Sequence, residues 1–190
     1  MPQERVKKTA ITGLAFDYQT LHGINLLCDW LSSPTRYQRV MFECTDSETA
    51  PQSLDDIVAE RSDGRFDYWQ VKYTPNPADN LFTWEWLLEV SGKTARARSN
   101  LRKWFDALKK IDEAKLGDVQ LVTNKKPDRD IESSLAGGSY LHLSKAPDDV
   151  QRQIEITLSS RENADWLLSR LRIIHSDKGY LNLQSSIIDS

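Results

Sequence analysis

Residues 53–73 read SLDDIVAERSDGRFDYWQVKY, and the fold follows from how this stretch turns back on itself. An apolar run begins directly after Asp55 and Asp56, passes through a Ser-Asp-Gly turn, and returns to end on Gln70 and Lys72. Strand-forming residues on both sides of a glycine-containing turn are typical of a β-hairpin. The hairpin brings its acidic end to its Gln-x-Lys end, and the register decides which aspartate faces them.

Two hairpin registers are compatible with the turn. A two-residue loop pairs Asp55 with Lys72, whereas a three-residue loop, with Gly64 in the left-handed position of a bulge, pairs Asp56 with Gln70. The apolar pattern favours the second register, because it gathers apolar residues on one face and the remaining residues on the other. The first set is Ile57, Ala59, Trp69 and Val71, and the second is Asp56, Val58, Glu60, Gln70 and Lys72. The sequence therefore predicts the three-residue turn and selects Asp56.

The elements around the hairpin predict an α/β fold. Apolar spacing predicts helices over about 12–31, 84–111, 146–160 and 162–171, with a separate helix over 84–90 as an alternative within the second range. It predicts strands over about 37–45, 118–124, 139–144 and 172–176. A helix, three strands in hairpin succession, a helix and a strand indicate a sheet whose first three strands are antiparallel and whose fourth joins after a crossover helix. We expect one domain over 1–190, with a core at about 12–125 and additional α/β elements at 126–190, as the N-terminal part of a longer chain.

Composition excludes several classes of protein. The 190 residues are 39% hydrophobic and 28% charged, which is typical of one globular domain with a full core. The net charge of -3 gives no overall attraction to polyanions, so binding of nucleic acid requires a local basic patch. The sequence has only two cysteines, no apolar run of about 18 residues, and no apolar core in its charged first residues. These features predict a cytoplasmic protein without a membrane span.

The matching strand ends gather the residue types of a metal site. Asp56, Gln70 and Lys72 share one face, and Glu43 on the adjoining strand is a fourth candidate. Carboxylate and amide oxygens suit Mg²⁺ or Mn²⁺, and a lysine beside such a cation orients or deprotonates a water and offsets charge on a phosphate. This pattern predicts metal-assisted phosphodiester hydrolysis. It also fits a solvated strand end, and the pattern alone leaves both interpretations open.

Five short segments together resemble a known superfamily. They are AFDYQ, FE, DDIV, QVK and LVTN, within about 14–124. In order and spacing they resemble the PD-(D/E)xK nucleases, and most closely the double-stranded DNA endonuclease branch that serves as effector in bacterial anti-phage systems. In those systems the domain belongs to proteins associated with CD-NTase signalling or to antiviral STAND NTPases. The resemblance implies a restriction-endonuclease-like core, with a central mixed sheet flanked by helices.

The resemblance also implies roles for individual residues. Asp56 matches the metal-binding aspartate and Lys72 the catalytic lysine, while Gln70 stands where an acid is more frequent and removes one negative charge. Gln19 matches the YQ signature and is expected near the site, and Gly23, one turn later, lets another group approach the helix closely. The expected catalytic residues are Asp56, Gln70, Lys72 and Gln19, and the expected Mg²⁺ or Mn²⁺ ligands are Asp56, Gln70 and Glu43.

Basic residues concentrate between residues 93 and 110, where seven lysines and arginines accompany the single acid Asp106. Helical spacing places Arg96, Lys103 and Lys110 on one side, as suits contacts to backbone phosphates that carry no sequence information. A solvated helix face is the alternative. The candidates for contact with nucleic acid are Lys93, Arg96, Arg98 and Lys103, together with Lys125 and Lys126 in a later loop.

The leading hypothesis is a Mg²⁺-dependent endonuclease domain that cuts double-stranded DNA with little sequence preference, as effector of a larger defence protein. The expected partners are DNA, sensor or oligomerisation domains of the same longer chain, and further copies of the protein upon activation. Gln70 favours one alternative, a catalytically impaired module that only binds DNA or a partner. A nuclease that acts on RNA is the other.

Overall fold

A five-stranded mixed sheet forms the centre of the molecule. The computed structural model describes residues 2–47, 49–76, 80–90 and 97–175, with side chains from residue 13 onward. The strands are β1 (Tyr37–Phe42), β2 (Ile57–Arg61), β3 (Phe66–Lys72), β4 (Leu116–Thr123) and β5 (Leu171–Ile174). They lie in sequence order, with β1, β2 and β3 antiparallel and β4 and β5 added parallel to β3. The predicted mixed sheet with three antiparallel strands and a crossover is therefore confirmed.

Helices flank this sheet. They are α1 (Pro2–Ser32), α2 (Trp84–Leu88), α3 (Asn100–Leu108), α4 (Arg129–Leu135), α5 (Asp148–Leu158) and α6 (Arg161–Leu168). Side chains of Thr83, Ser99, Asp128 and Ser160 cap four of them by accepting a backbone N–H of the first turn. Helix α1 begins ten residues earlier than predicted, because proline suits a first helical turn and the residues that follow it are mostly good helix formers. None of the helices in the described ranges is long and apolar enough to cross a membrane.

The hairpin adopts the three-residue turn. Ile57 lies opposite Trp69, and Ala59 lies opposite Asp67. The N–H of Arg61 donates to the carbonyl of Arg65 at 2.8 Å, and Gly64 has a φ of 82°. Glycine accepts this left-handed conformation without steric cost. The predicted register is confirmed, and it sets Asp56 rather than Asp55 beside Gln70.

Both faces of the sheet are buried, which corrects the expected polar character of the second face. Ile57 and Val71 pack with Tyr18 of α1, whereas Val58 and Tyr68, on the other face, belong to the larger core under the remaining helices. Helices pack on both faces of this mixed sheet, so the side chains on both faces of the hairpin strands are covered. The polar residues of the second face therefore lie where this core ends.

The ends of β3 and β4 are joined beyond their last backbone pair. Lys72 is the register partner of Thr123. Just after it, the N–H of Thr74 donates to Asn124 Oδ1 at 2.9 Å, and Asn124 Nδ2 donates to the Thr74 carbonyl at 2.7 Å. Both residues are buried. The Asn124 side chain thus continues the hydrogen bonding between β3 and β4 past the end of the strands. The connection fixes the strand end that carries Gln70 and Lys72.

The hairpin end of the sheet holds a separate buried ion pair. Asp67 is fully buried; its carboxylate lies 2.6 Å from Arg61 Nη2 and accepts hydrogen bonds from the Tyr37 hydroxyl and the Asp118 N–H. A Cβ at residue 117 would overlap this carboxylate, so glycine is required there. A buried, fully hydrogen-bonded carboxylate can fix the arrangement of the strands around it, but it cannot contact a substrate. We therefore assign this cluster to the fold.

Candidate active site

The carboxylate of Asp56 is the meeting point of three groups from β3. Asp56 directly precedes β2. Its Oδ2 atom accepts a hydrogen bond from Gln70 Nε2 and another, at 2.7 Å, from the N–H of Val71. The Nζ atom of Lys72 lies 3.9 Å from the same oxygen. The structure thus brings together the acid, the amide and the lysine that the sequence selected.

Burial makes the Asp56 carboxylate costly to ionise. Its side chain is 13% exposed, and removal from water raises the pKa of Asp56 from 3.8 to about 6. Lys72 and the N–H of Val71 act in the opposite direction, while the charges of Asp55 and Glu43 raise this pKa further. A buried acid whose pKa is raised by desolvation, next to a lysine, is typical of a functional site.

Gln70 carries a buried acceptor that has no donor. The residue is 2% exposed, and its Nε2 atom is used by Asp56. Among the described residues, its Oε1 atom has no hydrogen-bond partner. A buried polar atom left unpaired costs about 1–3 kcal/mol, so such atoms are few in a folded protein, and a bound ligand is one explanation for them. The amide oxygen is therefore available to a ligand beside Asp56.

Helix α1 reaches the site through Gln19. Gln19 Nε2 donates to Glu43 Oε1 at 2.5 Å and to the backbone carbonyl of Asp56 at 3.2 Å. Glu43 follows β1 in a left-handed conformation with a φ of 46°, and its N–H donates to the same carbonyl at 3.0 Å. Gln19 thus contacts the main chain of Asp56 rather than its carboxylate. These contacts suit a residue that positions Asp56, and the catalytic role that the resemblance implies for Gln19 stays a prediction.

Gly23 sets the distance between α1 and the end of β1. A Cβ atom at residue 23 would overlap the ring of Phe42, which lies directly on the helix backbone. The expectation that a group approaches α1 closely at Gly23 is confirmed. Phe42 is followed by Glu43, and Gln19 lies one turn before Gly23, so this contact holds both hydrogen-bonding partners in place.

For the metal-dependent cleavage that the sequence predicts, Gly23→Ala is expected to lower the rate about tenfold and to raise the metal concentration needed for half-maximal activity, since Phe42 must move and carry Glu43 with it. The double variant Gly23→Ala/Phe42→Ala removes the clashing ring. It is expected to recover part of the lost cleavage rate and part of the lost metal affinity. Metal titrations of the cleavage rate check this result. An unchanged metal requirement together with a lower melting temperature would show that Gly23 serves packing alone.

The donor atoms present suit a hard divalent cation. No group of three or more His, Cys, Asp and Glu side chains with metal-binding geometry occurs in the described ranges. The available donors are the carboxylates of Asp56 and Glu43 and the unpaired amide oxygen of Gln70. Oxygen donors with few protein ligands are typical of Mg²⁺ and Mn²⁺, which keep several waters. The residues present therefore fit the predicted metal, with one negative charge fewer than a site with a second acid at position 70.

The predicted DNA-contacting residues differ in what they present to solvent. Arg98 is half-exposed and pairs with Asp106, Lys103 lines a surface groove, and Lys126 is exposed. Lys93 and Arg96 lie outside the described residues.

Lys125 does not present a surface charge, contrary to the prediction. It is 8% exposed, its Nζ donates to the carbonyl of Asn80 at 3.0 Å, and it lies 5.4 Å from the ring centroid of Trp86. Burial lowers the pKa of this lysine. Its ammonium is committed to the protein, so we leave it out of the candidate DNA-contacting set.

Sequence reasoning missed two features, one at the Asp56 cluster and one among the candidate DNA-contacting residues of α3. The N–H of Val71 is one, because a backbone donor has no residue-type signal. The pairing of Asp106 with Arg98 and Arg102 is the other. The spacing of Arg102 and Asp106, four residues apart on a helix, was a usable signal for that pairing.

The fold and the site together define a class of protein. The sheet with its flanking helices is restriction-endonuclease-like, and an acid, an amide and a lysine meet at the ends of neighbouring antiparallel strands. Residues 10–190 match the family model described as Cap4, dsDNA endonuclease domain, and the chain belongs to this family. It is thus an endonuclease domain of the anti-phage defence type, as the resemblance implied. Comparison with curated proteins gives no match.

Proposed function

We propose that this domain hydrolyses phosphodiester bonds of double-stranded DNA with the help of Mg²⁺ or Mn²⁺, by PD-(D/E)xK chemistry, and with little sequence preference. The observation that carries the proposal is the convergence of Gln70, the Val71 N–H and Lys72 on one buried carboxylate. Burial of the Asp56 carboxylate raises its pKa and costs stability at neutral pH, which supports a functional role for this residue. Membership in a family of double-stranded DNA endonuclease domains supports the choice of substrate.

Each side chain of the site has a distinct task in this proposal. Asp56, Glu43 and the Oε1 atom of Gln70 would hold the metal ion. When bound, such an ion polarises the phosphate and makes water more acidic. Lys72 orients the attacking water and offsets negative charge that develops on the phosphate. Gln19 keeps the main chain of Asp56 in position through its hydrogen bond to the carbonyl.

Low sequence preference is supported by the kind of contacts available. The candidate surface residues Arg98, Lys103 and Lys126 are cations, which suit phosphate oxygens. Contacts to phosphates position a duplex but carry no direct information about base sequence. The same residues accept any duplex of suitable charge.

The neutral side chain at position 70 favours a second candidate function. With glutamine in place of an acid, the site has one negative charge fewer with which to attract a cation. A nuclease-like module that binds DNA or a protein partner without cutting is consistent with that loss. Hydrolysis of RNA is a further alternative, because the phosphodiester chemistry is the same.

The expected partners follow from the defence-type family. We propose that this domain acts together with sensor or oligomerisation domains of the same longer chain, and that assembly of several copies activates it. A nonspecific DNA endonuclease is toxic to its own cell, which supports a requirement for such control. The isolated domain is then expected to cut slowly.

A cleavage assay separates these functions. Supercoiled plasmid is incubated with the protein and Mg²⁺ or Mn²⁺, with and without EDTA, beside single-stranded and double-stranded RNA of similar length. The proposal expects nicked and linear plasmid only when the metal is present and intact RNA throughout. Binding of the plasmid without cleavage, under conditions where Mn²⁺ and high protein concentration are both supplied, would favour the impaired module. Loss of the RNA instead would assign an RNA substrate.

A further inference from the structure

A second concave surface lies beside helix α3. This surface, the α3 groove, has a volume of about 580 Å³. Cationic side chains form one wall, and the loop before β2 forms the other. The residues concerned are Arg98, Lys103, Lys109 and Lys110 on the first wall and Gln52 and Ser53 on the second. Four cations around one groove form a site for an anion rather than a neutral ligand.

The α3 groove and the active site share the short segment that leads into β2. Ser53 lies three residues before Asp56, which is at most about 11 Å along the chain. The N–H of Ser53 donates to Asp55 Oδ1 at 3.0 Å, so the wall of the groove is tied to the residue next to the catalytic acid. A DNA duplex carries one charge per about 1.7 Å of its axis. A duplex bound at Asp56 extends well beyond the distance from Ser53 to Asp56, which puts the groove within reach of its backbone phosphates.

One acid stands among these cations. Asp106 is the acidic member of the described lining, and its Oδ2 pairs with Nη1 of Arg98. Its Oδ1 accepts from Nε of Arg102 at 2.9 Å, and Arg102 is itself held by the carbonyl of Thr157 at 3.0 Å. Arg102 thus anchors Asp106 from outside the groove. A phosphate that reaches Arg98 has to compete with a carboxylate that is fixed in place.

We propose that the α3 groove binds a backbone phosphate of the DNA next to the bond that is cut, and that Asp106 limits this affinity by holding Arg98. The proposal rests on DNA as the substrate of the active site. Its physical basis is that one guanidinium offers its paired N–H donors to either a carboxylate or a phosphate, in the same geometry. Asp106 is then a built-in competitor that keeps nonspecific binding weak.

The test measures binding without cleavage. A fluorescent 20-base-pair duplex is titrated with the 190-residue protein carrying Lys72→Ala, in EDTA and at several salt concentrations. Asp106→Asn retains the shape of the side chain and an oxygen for Arg102, and is expected to tighten binding about fivefold and to steepen the salt dependence by about one phosphate contact. Lys103→Ala is expected to weaken binding by a similar factor and to reduce the salt slope.

Asp165→Asn on α6 is the matched control, because it removes the same charge from an exposed position that does not line the groove. Equal tightening by Asp165→Asn and Asp106→Asn would overturn the proposal in favour of net charge alone. If Lys103→Ala left the salt dependence of binding unchanged, the groove would not be the binding site. If Asp106→Asn and Lys103→Ala changed the affinity for an RNA duplex but not for DNA, DNA would not be the ligand of the groove. Since no metal is present, these results are independent of whether the active site cleaves DNA.

Discussion

Lys72→Ala is expected to reduce the rate of DNA cleavage about 10³-fold or more while leaving the fold intact. The ammonium is the one cation in contact with Asp56 among the described residues, so no neighbour replaces it at the phosphate. The side chain is 38% exposed and makes a single long ion pair, at 3.9 Å, which contributes under about 1 kcal/mol to stability. Initial rates of plasmid cleavage, with melting temperatures as the check of folding, measure both effects.

Lys72→Arg distinguishes two roles for the lysine. Arginine keeps the positive charge but spreads it over a planar fork that stays protonated. If Lys72 only offsets charge on the phosphate, the arginine variant retains about a tenth of the activity, whereas a role in moving a proton of the attacking water leaves it as inactive as alanine. Lys145→Ala, an exposed lysine in a different part of the fold, is the control and is expected to cut normally. Normal cleavage by Lys72→Ala would refute the nuclease mechanism.

The hairpin could be predicted because its determinants are local. The glycine at the turn and the alternation of apolar residues lie within twenty residues, and together they fix the register that puts Asp56 beside Gln70. The close approach to α1 at Gly23 could also be predicted, because glycine leaves room on that helix face, but the sequence did not identify Phe42 as the group that fills it. Features of this kind can be read without knowing what else packs nearby.

What the sequence left open depends on distant contacts. Lys125 looked like a loop cation, but Asn80 and Trp86, about forty residues earlier, enclose it. The second face of the hairpin looked polar because Asp56 and Gln70 are on it, yet helices far along the chain cover the remainder. The unpaired Oε1 of Gln70 likewise exists only because the core closes over it. Burial of this sort is a property of the assembled fold.

Asp56→Asn is expected to abolish cleavage and, in the absence of metal, to stabilise the protein at pH 7.5. Cleavage is lost because the amide lacks the charge that holds the cation and orients Lys72. The stabilising effect follows from burial, which raises the pKa of Asp56 from 3.8 to about 6. Between these two values the native state binds more protons than the unfolded chain, so the free energy of unfolding contributed by Asp56 falls as the pH rises through this window.

The size of the effect follows from the pKa difference of about two units, which corresponds to about 2–3 kcal/mol above pH 6. Asparagine is neutral at every pH in this range and escapes that cost. The melting temperature in EDTA is thus expected to rise by several degrees at pH 7.5 and to change little at pH 4, where the native carboxyl is already protonated.

Asp55→Asn is the matched control for this variant, since it removes the neighbouring charge from a carboxylate that accepts the Ser53 N–H, a bond that an amide oxygen reproduces. It is expected to cut DNA and to show only a small part of the pH-dependent gain in melting temperature, because the charge of Asp55 is a minor cause of the raised pKa of Asp56. If Asp56→Asn destabilised the protein equally at both pH values, Asp56 would be a structural hydrogen-bond acceptor and its ionisation would have no part in the site. A gain confined to high pH, together with complete loss of cleavage, identifies a carboxylate that the fold keeps charged for catalysis at the expense of stability.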